Sequence, residues 1–133
     1  MDDYRHSISP HDLYARLGSD AAPIVVDVRR AADFDSADRL VIPAFHCSPD
    51  EVEQWPKNLP PGRPVVTYCV HGHHVSQGVA AALRAMGVEA NFLEGGIAGW
   101  TEAEMPTRRT TSRRLGLLIR RKSGRLNASP DEP

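Results

Sequence analysis

The stretch that decides the fold is PVVTYCVHGHH at residues 64–74. The run from Pro64 to Cys69 is short, apolar and rich in β-branched residues, which predicts a strand buried on both faces of a sheet. From Val75, apolar and small residues recur at helical spacing as far as Gly87, which predicts a helix that ends there. Cys69 therefore stands where a buried strand stops and a glycine-containing loop turns into a helix.

Strand and helix patterns alternate on both sides of this stretch. Serine caps followed by proline predict two more helices, over residues 9–18 and 48–55, and the second has the signature of a capping box. Apolar runs predict two more strands, at residues 23–28 and 88–93. Such alternation is typical of the α/β class, in which helices cover a parallel sheet.

Length and composition exclude several classes of protein. The chain has 133 residues, of which 41% are hydrophobic and 25% charged, which suits one globular domain with a real core. Its two cysteines, 22 residues apart, cannot form a disulfide framework or complete a four-thiolate zinc site. The N-terminus is acidic where a signal peptide would be basic, and no apolar run approaches the ~18 residues of a membrane span. We expect a cytoplasmic protein without a membrane partner, in which a lone cysteine has a chemical role.

The position of Cys69 favours nucleophilic chemistry. The carboxyl edge of a parallel sheet is where ligand crevices form in open α/β folds. The amides of a helix N-terminus favour an anion, so a thiolate held there should be stabilised and nucleophilic. If Gly72 lets the backbone curl, successive N–H groups could form an anion-binding nest around the sulfur. The alternative is a buried core cysteine at the end of a strand.

Four motifs, in this order, resemble the landmarks of single-domain rhodanese-like sulfurtransferases. They are Asp27-Val28-Arg29, Ile42-Pro43-Ala44, Cys69-Val70-His71-Gly72, and Leu93-Glu94-Gly95-Gly96-Ile97 followed by Trp100. The resemblance covers roughly residues 8–106. It implies a small central parallel sheet of about five strands with helices on both faces. It also implies that Cys69 takes a sulfane sulfur as a persulfide and passes it to a thiophilic acceptor.

The resemblance assigns roles to residues around the cysteine. The donor would be a small anion such as thiosulfate, the acceptor a thiol or cyanide, and no cofactor is implied. The substrate would be bound by the loop and the start of the helix: Val70, His71, Gly72, His73, His74, Val75 and Ser76. Asp27 and Arg29 would form an ion-paired framework near the site, with Glu94 as a partner for Arg29.

The sequence departs from the family pattern at the loop. Many members carry Arg there, where this chain has three histidines, and the helix begins one residue late when counted from Cys69. A wider loop goes with phosphatase or arsenate-reductase chemistry in related domains, but those enzymes close the loop with Arg, and here Val75 or Ser76 takes that place. Three hypotheses stay open: sulfur transfer, handling of an oxyanion, and a non-catalytic binding or sensing module.

The histidines and the second cysteine admit several interpretations. Protonated rings at His71, His73 and His74 could attract anionic donors, or the three rings could be solvated loop side chains. A metal site built from Cys69 with His71, His73 or His46 is disfavoured, and we predict none, because a short loop cannot converge three rings and also aim its amides at the sulfur. Cys47 is interpreted as filler in its connection, with a resolving thiol as the alternative. Trp55 and Trp100 are interpreted as packing residues.

Charge divides the chain into an acidic body and a basic tail. Residues 1–104 carry 8 Lys+Arg and 15 Asp+Glu, whereas residues 105–133 carry 8 and 2. The resemblance implies that the fold finishes near Met105-Pro106, so we place the domain at residues 1–106 and a basic, partly disordered tail at residues 107–133. The tail lacks aromatic residues and nucleic-acid motifs, so nucleic acid is not favoured as a partner. Contact with the acidic body, an anionic surface or a protein partner remains open.

Overall fold

A computed structural model describes residues 6–60 and 62–110 of the chain. Its helices are α1 (Pro10–Leu17), α2 (Ala31–Ser36), α3 (His74–Ala85) and α4 (Gly96–Glu102). Its strands are β1 (Ser7–Ile8), β2 (Ile24–Asp27), β3 (Arg39–Val41), β4 (Phe45–His46), β5 (Val65–Tyr68), β6 (Ala90–Leu93) and β7 (Thr107–Arg109). No helix of this described part is long and apolar enough to cross a membrane.

The central sheet has five strands in the order β1-β6-β5-β2-β4, and every neighbouring pair is parallel. All residues of β2 and β5 are buried, as their unbroken apolar runs predict. β5 is the middle strand, with β2 on one side and β6 on the other. The predicted α/β fold with a parallel sheet of about five strands is confirmed.

Side chains alternate between the two faces of the sheet and build two cores. Val25 and Val66 face α1 and α4, whose buried Leu13 and Trp100 complete the first core. The second core lies on the opposite face, where side chains of β2, β5 and β6 pack against α3 and Trp55. Helices therefore cover both faces, and the packing roles predicted for Trp55 and Trp100 are confirmed.

The end of the described chain belongs to the folded body. β7 pairs with β3 in a two-stranded antiparallel sheet, so residues 107–109 lie in the body and not in the tail, which the resemblance places from residue 107 onward. The N–H of Thr110 donates to the carbonyl of Asp38 at 2.9 Å. Residues 111–133 lie outside the described residues, so a partly disordered basic tail stays a prediction.

The prediction of a helix over residues 48–55 is wrong. Two 3-10 turns occupy this connection, at Pro49–Glu51 and Trp55–Asn58. The hydroxyl of Ser48 accepts from the N–H of Asp50, two residues on, so the predicted capping box is not formed. The connection buries Trp55 but offers no full apolar helix face, and a proline follows that residue.

Candidate active site

Cys69 lies at the carboxyl end of the central strand, directly before the loop that leads into α3. Its side chain is buried, and the thiol donates a hydrogen bond to the hydroxyl of Ser76 with 3.3 Å between Sγ and Oγ. Ser76 belongs to the first turn of α3 and is fully buried. The hydroxyl of Thr67, on β5, donates to the Ser76 carbonyl at 2.9 Å and ties the start of the helix to the strand. The sulfur is therefore held between a strand end and a helix start.

The carbonyl groups of the loop are bound by neighbouring elements. The N–H groups of Ile97 and Ala98, in the first turn of α4, donate to the carbonyls of Cys69 and Val70 at 2.9 and 3.0 Å. Nε2 of Gln77 donates to the Gly72 carbonyl at 2.9 Å. Three carbonyl groups of the loop thus accept hydrogen bonds, two from the backbone of α4 and one from the side chain of Gln77.

The engaged carbonyls fix the direction of the amides. In a planar trans peptide the N–H points opposite to the C=O of the same unit. The N–H groups of Val70 and His71 are therefore directed away from α4, and that of His73 is directed away from Gln77. Across residues 6–60 and 62–110, no protein group accepts a hydrogen bond from the N–H of residues 70–73. These donors are available to a ligand.

Two glycines permit the close approach of α4 to the loop. Gly96 has φ +61°, and a Cβ at this position would collide with the carbonyl oxygen of Cys69 and lie 2.5 Å from that of Val70. Gly72 has φ +76°, and a Cβ there would lie 2.8 Å from the Leu93 carbonyl oxygen. Both positions need glycine for conformation and for space.

A pocket of about 190 Å³ opens over the sulfur. It is lined by Arg29, Arg30, Asp33, Cys69, Val70, His71, His73, His74 and Val75. The three histidine side chains are exposed, and the ring centroids of His71 and His73 lie 6.2 Å apart. The structure thus brings the predicted loop residues to one opening, with Gly72 and Ser76 buried beneath it. In the part of the chain that the structure describes, no three His, Cys, Asp or Glu side chains converge on a metal position.

A buried ion pair supports the sheet beside the site. The guanidinium of Arg29 contacts the carboxylate of Asp27 through Nη2 and Oδ2 at 2.6 Å, and both side chains are almost completely buried. Burial opposes the charge of Arg29, but the hydrogen bond and charge of Asp27 outweigh it and hold the pKa of Arg29 above its ordinary value. The hydroxyl of Tyr68 donates to Oδ2 of Asp27 at 2.9 Å and accepts from the N–H of Val41 at 3.1 Å. Burial, and then the charge of Asp27, raises the pKa of Tyr68 far above its usual range.

The expected pairing of Glu94 with Arg29 is wrong. The carboxylate of Glu94 accepts a hydrogen bond from the hydroxyl of Ser7 on β1 at 2.7 Å. The additional partner of Arg29 is the carbonyl of Arg39, 3.0 Å from Nη2. Glu94 follows β6, which pairs with β1, whereas Arg29 follows β2 on the other side of the central strand.

Cys47 is half-buried and packs against the second core. Its N–H donates to the carbonyl of Asp27 at 2.9 Å. Burial, and then the charge of Glu51, raises the pKa of the Cys47 thiol. Both cysteines are free thiols, and Cys47 occupies the packing position that the sequence suggested.

Three residues of the site, Arg30, Asp33 and Gln77, are not among those that the sequence predicts. Arg30 and Asp33 reach the pocket from α2, an element without a buried residue and therefore without an apolar pattern to reveal it. Gln77 lies within the predicted helix, and its role depends on its hydrogen bond to the Gly72 carbonyl. A polar residue one turn beyond the loop would have been the signal for this contact.

Comparison with known proteins places these features in a family. The sequence model of the Rhodanese-like domain family matches residues 9–103. The chain is 35% identical over 77 residues to the thiosulfate sulfurtransferase GlpE of Tolumonas auensis, an alignment that covers 57% of this chain and 70% of that protein.

Solved structures share the fold. A rhodanese-related protein from Thermoplasma volcanium aligns with a TM-score of 0.66 at 25% identity, covering 77% of this chain and 96% of that one. A full-length protein from Lactobacillus plantarum aligns with a TM-score of 0.70 at 22% identity, covering 80% and 89% of the two chains. On the family match, the GlpE relative and the shared fold, the chain belongs to the rhodanese-like domain family and is related to its sulfurtransferases.

Proposed function

We propose that this chain transfers a sulfane sulfur from a small anionic donor, such as thiosulfate, to a thiol or cyanide acceptor through a persulfide on Cys69. The observation that carries the proposal is the orientation of the loop peptides. Their carbonyls are bound outside the loop, and among the described residues the N–H groups of residues 70–73, which follow Cys69 directly, have no acceptor. Fixed amide dipoles stabilise negative charge in a site of low dielectric constant.

The reaction has two displacement steps. In the first, the Cys69 thiolate attacks the outer sulfur of thiosulfate, the S–S bond of the donor breaks, and sulfite leaves with the bonding electrons. In the second, cyanide or an acceptor thiolate attacks the outer sulfur of the persulfide. The Cys69 thiolate then departs with the electron pair of the S–S bond, so the enzyme is regenerated without a cofactor.

The surrounding residues have distinct proposed roles. The backbone from Val70 to Ser76 holds the charge that develops on both sulfurs, and the hydroxyl of Ser76 contacts the attacking sulfur directly. His71, His73 and His74 surround the opening, where protonated rings would attract an anionic donor. Asp27 and Arg29 hold the strand ends rather than the substrate.

Charge in the pocket supports sulfur transfer over oxyanion chemistry. A phosphate or arsenate site needs a cationic fork close to the loop. The position where the family would place that Arg holds Val75 or the neutral Ser76. Arg29 is engaged by Asp27, and Arg30 is exposed near Asp50, with 3.6 Å between Nη1 and Oδ1.

A turnover assay tests the proposal. Thiosulfate and cyanide should yield thiocyanate, and Cys69→Ser should abolish the reaction. Cys47→Ser is the matched control, because it removes the other thiol and should retain the rate. Thiocyanate formation that survives Cys69→Ser would refute the proposal. Turnover of a phosphate ester or of arsenate without sulfur transfer would favour the oxyanion alternative. Absence of turnover with any of these substrates would favour the non-catalytic module.

A further inference from the structure

A second pocket, of about 500 Å³, adjoins the one over Cys69. The two pockets share Arg29, Asp33 and Val70 as lining residues. Val70, Ile97 and Ala98 give the second pocket an apolar wall, and Asp33 and Asp38 contribute carboxylates. Its volume is in the range of ligand pockets, and its walls combine apolar surface with negative charge.

The carboxylates of this pocket are free to bind a cation. Within residues 6–60 and 62–110, the side chains of Asp33 and Asp38 form no ion pair or hydrogen bond. Two arginines also line the wall. The charge of Arg29 is balanced by Asp27, whereas Arg39 donates to the neutral carbonyl and hydroxyl of Thr107 at 2.8 and 2.9 Å and keeps its charge. In this described part of the chain the two unpaired carboxylates outnumber the one unpaired cation, so the pocket favours a partner that is both cationic and apolar.

The described chain ends at the rim of this pocket. The N–H of Thr110 donates to the carbonyl of Asp38 at 2.9 Å, and its hydroxyl donates to that of Ala37 at 3.4 Å. Ala37 and Asp38 both line the pocket. Thr110, the last described residue, thus lies beside the opening. An extended chain gains up to ~3.3 Å per residue, so a few further residues are long enough to reach across it.

The sequence that follows has the required chemistry. Residues 111–126 contain six Lys and Arg and no Asp or Glu. Arg113 and Arg114 come directly before the apolar run Leu115–Ile119, which contains one glycine. The segment therefore places cationic groups next to apolar ones, and the pocket likewise places carboxylates next to an apolar wall.

We propose that residues 111–119 of this chain bind over the second pocket. Arg113 and Arg114 face Asp33 and Asp38, and the Leu115–Ile119 run covers the apolar wall. Another apolar groove on the described body, lined by Tyr14, Ala15, Leu17, Gly18, Ile42, Pro43 and Pro106, has no charged side chain to receive the arginines. It also lies near the start of β7, at the end of that strand opposite to Thr110. The proposal concerns binding and does not depend on the chemistry of Cys69.

Photo-crosslinking in the full chain tests this contact. A benzophenone side chain is introduced in place of Leu117, the protein is irradiated at low concentration, and the crosslinked peptides are mapped by mass spectrometry. We expect crosslinks within one chain to residues 33–39 and 97–101. The yield should fall roughly fivefold when Asp33→Lys and Asp38→Lys are combined, and also in about 1 M salt, where charges are screened within ~3 Å.

Asp35→Lys is the matched control, because Asp35 is exposed on the same helix but does not line the pocket. It should change the yield less than about twofold. Crosslinks to the groove beside Tyr14, or spread over the surface, would overturn the proposal. So would a yield unaffected by the paired substitutions, or crosslinks that join two chains and grow with protein concentration.

Discussion

Gly96→Ala tests how the loop around Cys69 is held. The N-terminus of α4 is close enough for the amides of Ile97 and Ala98 to bind the carbonyls of Cys69 and Val70. An added Cβ at position 96 would collide with the carbonyl of Cys69 and lie 2.5 Å from that of Val70. Both contacts are with backbone, so either the loop or the helix must move.

The expected cost follows from the groups involved. Alanine at φ +61° loses about 1 kcal/mol relative to glycine. Separating α4 from the loop weakens two hydrogen bonds, each worth about 0.5–1.5 kcal/mol. We therefore expect the free energy of unfolding to fall by roughly 2–4 kcal/mol. The released carbonyls can rotate, which would also turn the N–H groups of the same peptides, the proposed anion cradle. The rate of sulfur transfer should then fall on the order of a hundredfold, as when a fixed donor is lost from an oxyanion site.

Denaturant unfolding and the thiosulfate–cyanide assay measure the two effects. Gly78→Ala is the matched control, because a Cβ there would meet no atom within 4 Å and the position lies inside α3. This control should keep its activity and gain up to about 1 kcal/mol of stability. A Gly96→Ala protein with the stability and transfer rate of the unsubstituted chain would refute the reasoning.

Three further substitutions test a hydroxyl at the site, the buried tyrosine beside it, and the second cysteine. Ser76→Ala removes the hydroxyl that contacts the Cys69 sulfur and should slow the thiosulfate–cyanide reaction roughly tenfold, with stability changed by no more than about 1–2 kcal/mol; an unchanged rate would show that the contact has no role in transfer. Tyr68→Phe leaves the Val41 N–H and the Asp27 carboxylate each without one partner and should cost about 1–3 kcal/mol in denaturant unfolding. Because the pKa of Tyr68 is raised in the fold, the contribution of its hydroxyl to stability is complete below about pH 10 and is lost as the pH rises further. The difference in unfolding free energy between the unsubstituted and Tyr68→Phe proteins should therefore narrow in alkali. A difference that widens there would contradict the assignment. In Cys69→Ser, the remaining Cys47 has a pKa raised by burial and by Glu51 and should react with iodoacetamide at pH 7 more slowly than a model peptide thiol, whereas reaction at the peptide rate would show that Cys47 is not held in the core.

The elements that the sequence predicted are those with a complete local signal. β2 and β5 are unbroken β-branched runs, and α1 carries a serine cap whose hydroxyl accepts from the N–H of Asp12 at 3.1 Å. α3 has an apolar stripe and a terminal glycine. In each case the periodicity and the capping residues agree with the tertiary packing, so local reasoning was sufficient.

The elements that the sequence did not reveal are too short to carry a pattern. β1 and β4 have two residues each and exist because they add to the edges of a sheet already formed by longer strands. α2 buries no residue, so no apolar stripe marks it. β7 consists of charged and polar residues, and its pairing with β3 depends on where the chain returns after α4. These features are set by tertiary contacts rather than by local propensity.

The position of the site could be predicted from the sequence, but the hydrogen-bond and ion-pair partners of its residues could not. A cysteine between a buried strand and a helix start indicates the carboxyl edge of the sheet, where Cys69 lies. The partners of charged groups depend on strand order, which the sequence does not specify. For that reason the expected partner of Glu94, Arg29, is wrong, and Glu94 binds Ser7 on an edge strand. The hydrogen bond of Tyr68 likewise depends on the backbone of Val41, which is distant in sequence, and that of Gln77 depends on the loop backbone at Gly72.

The most direct test of the central claim is the intact mass of the chain after incubation with thiosulfate. The account predicts a gain of one sulfur atom, located on Cys69 by peptide mapping, absent in Cys69→Ser and removed by cyanide. A chain that gains no sulfur, or that gains it equally when Cys69 is replaced, would contradict the account.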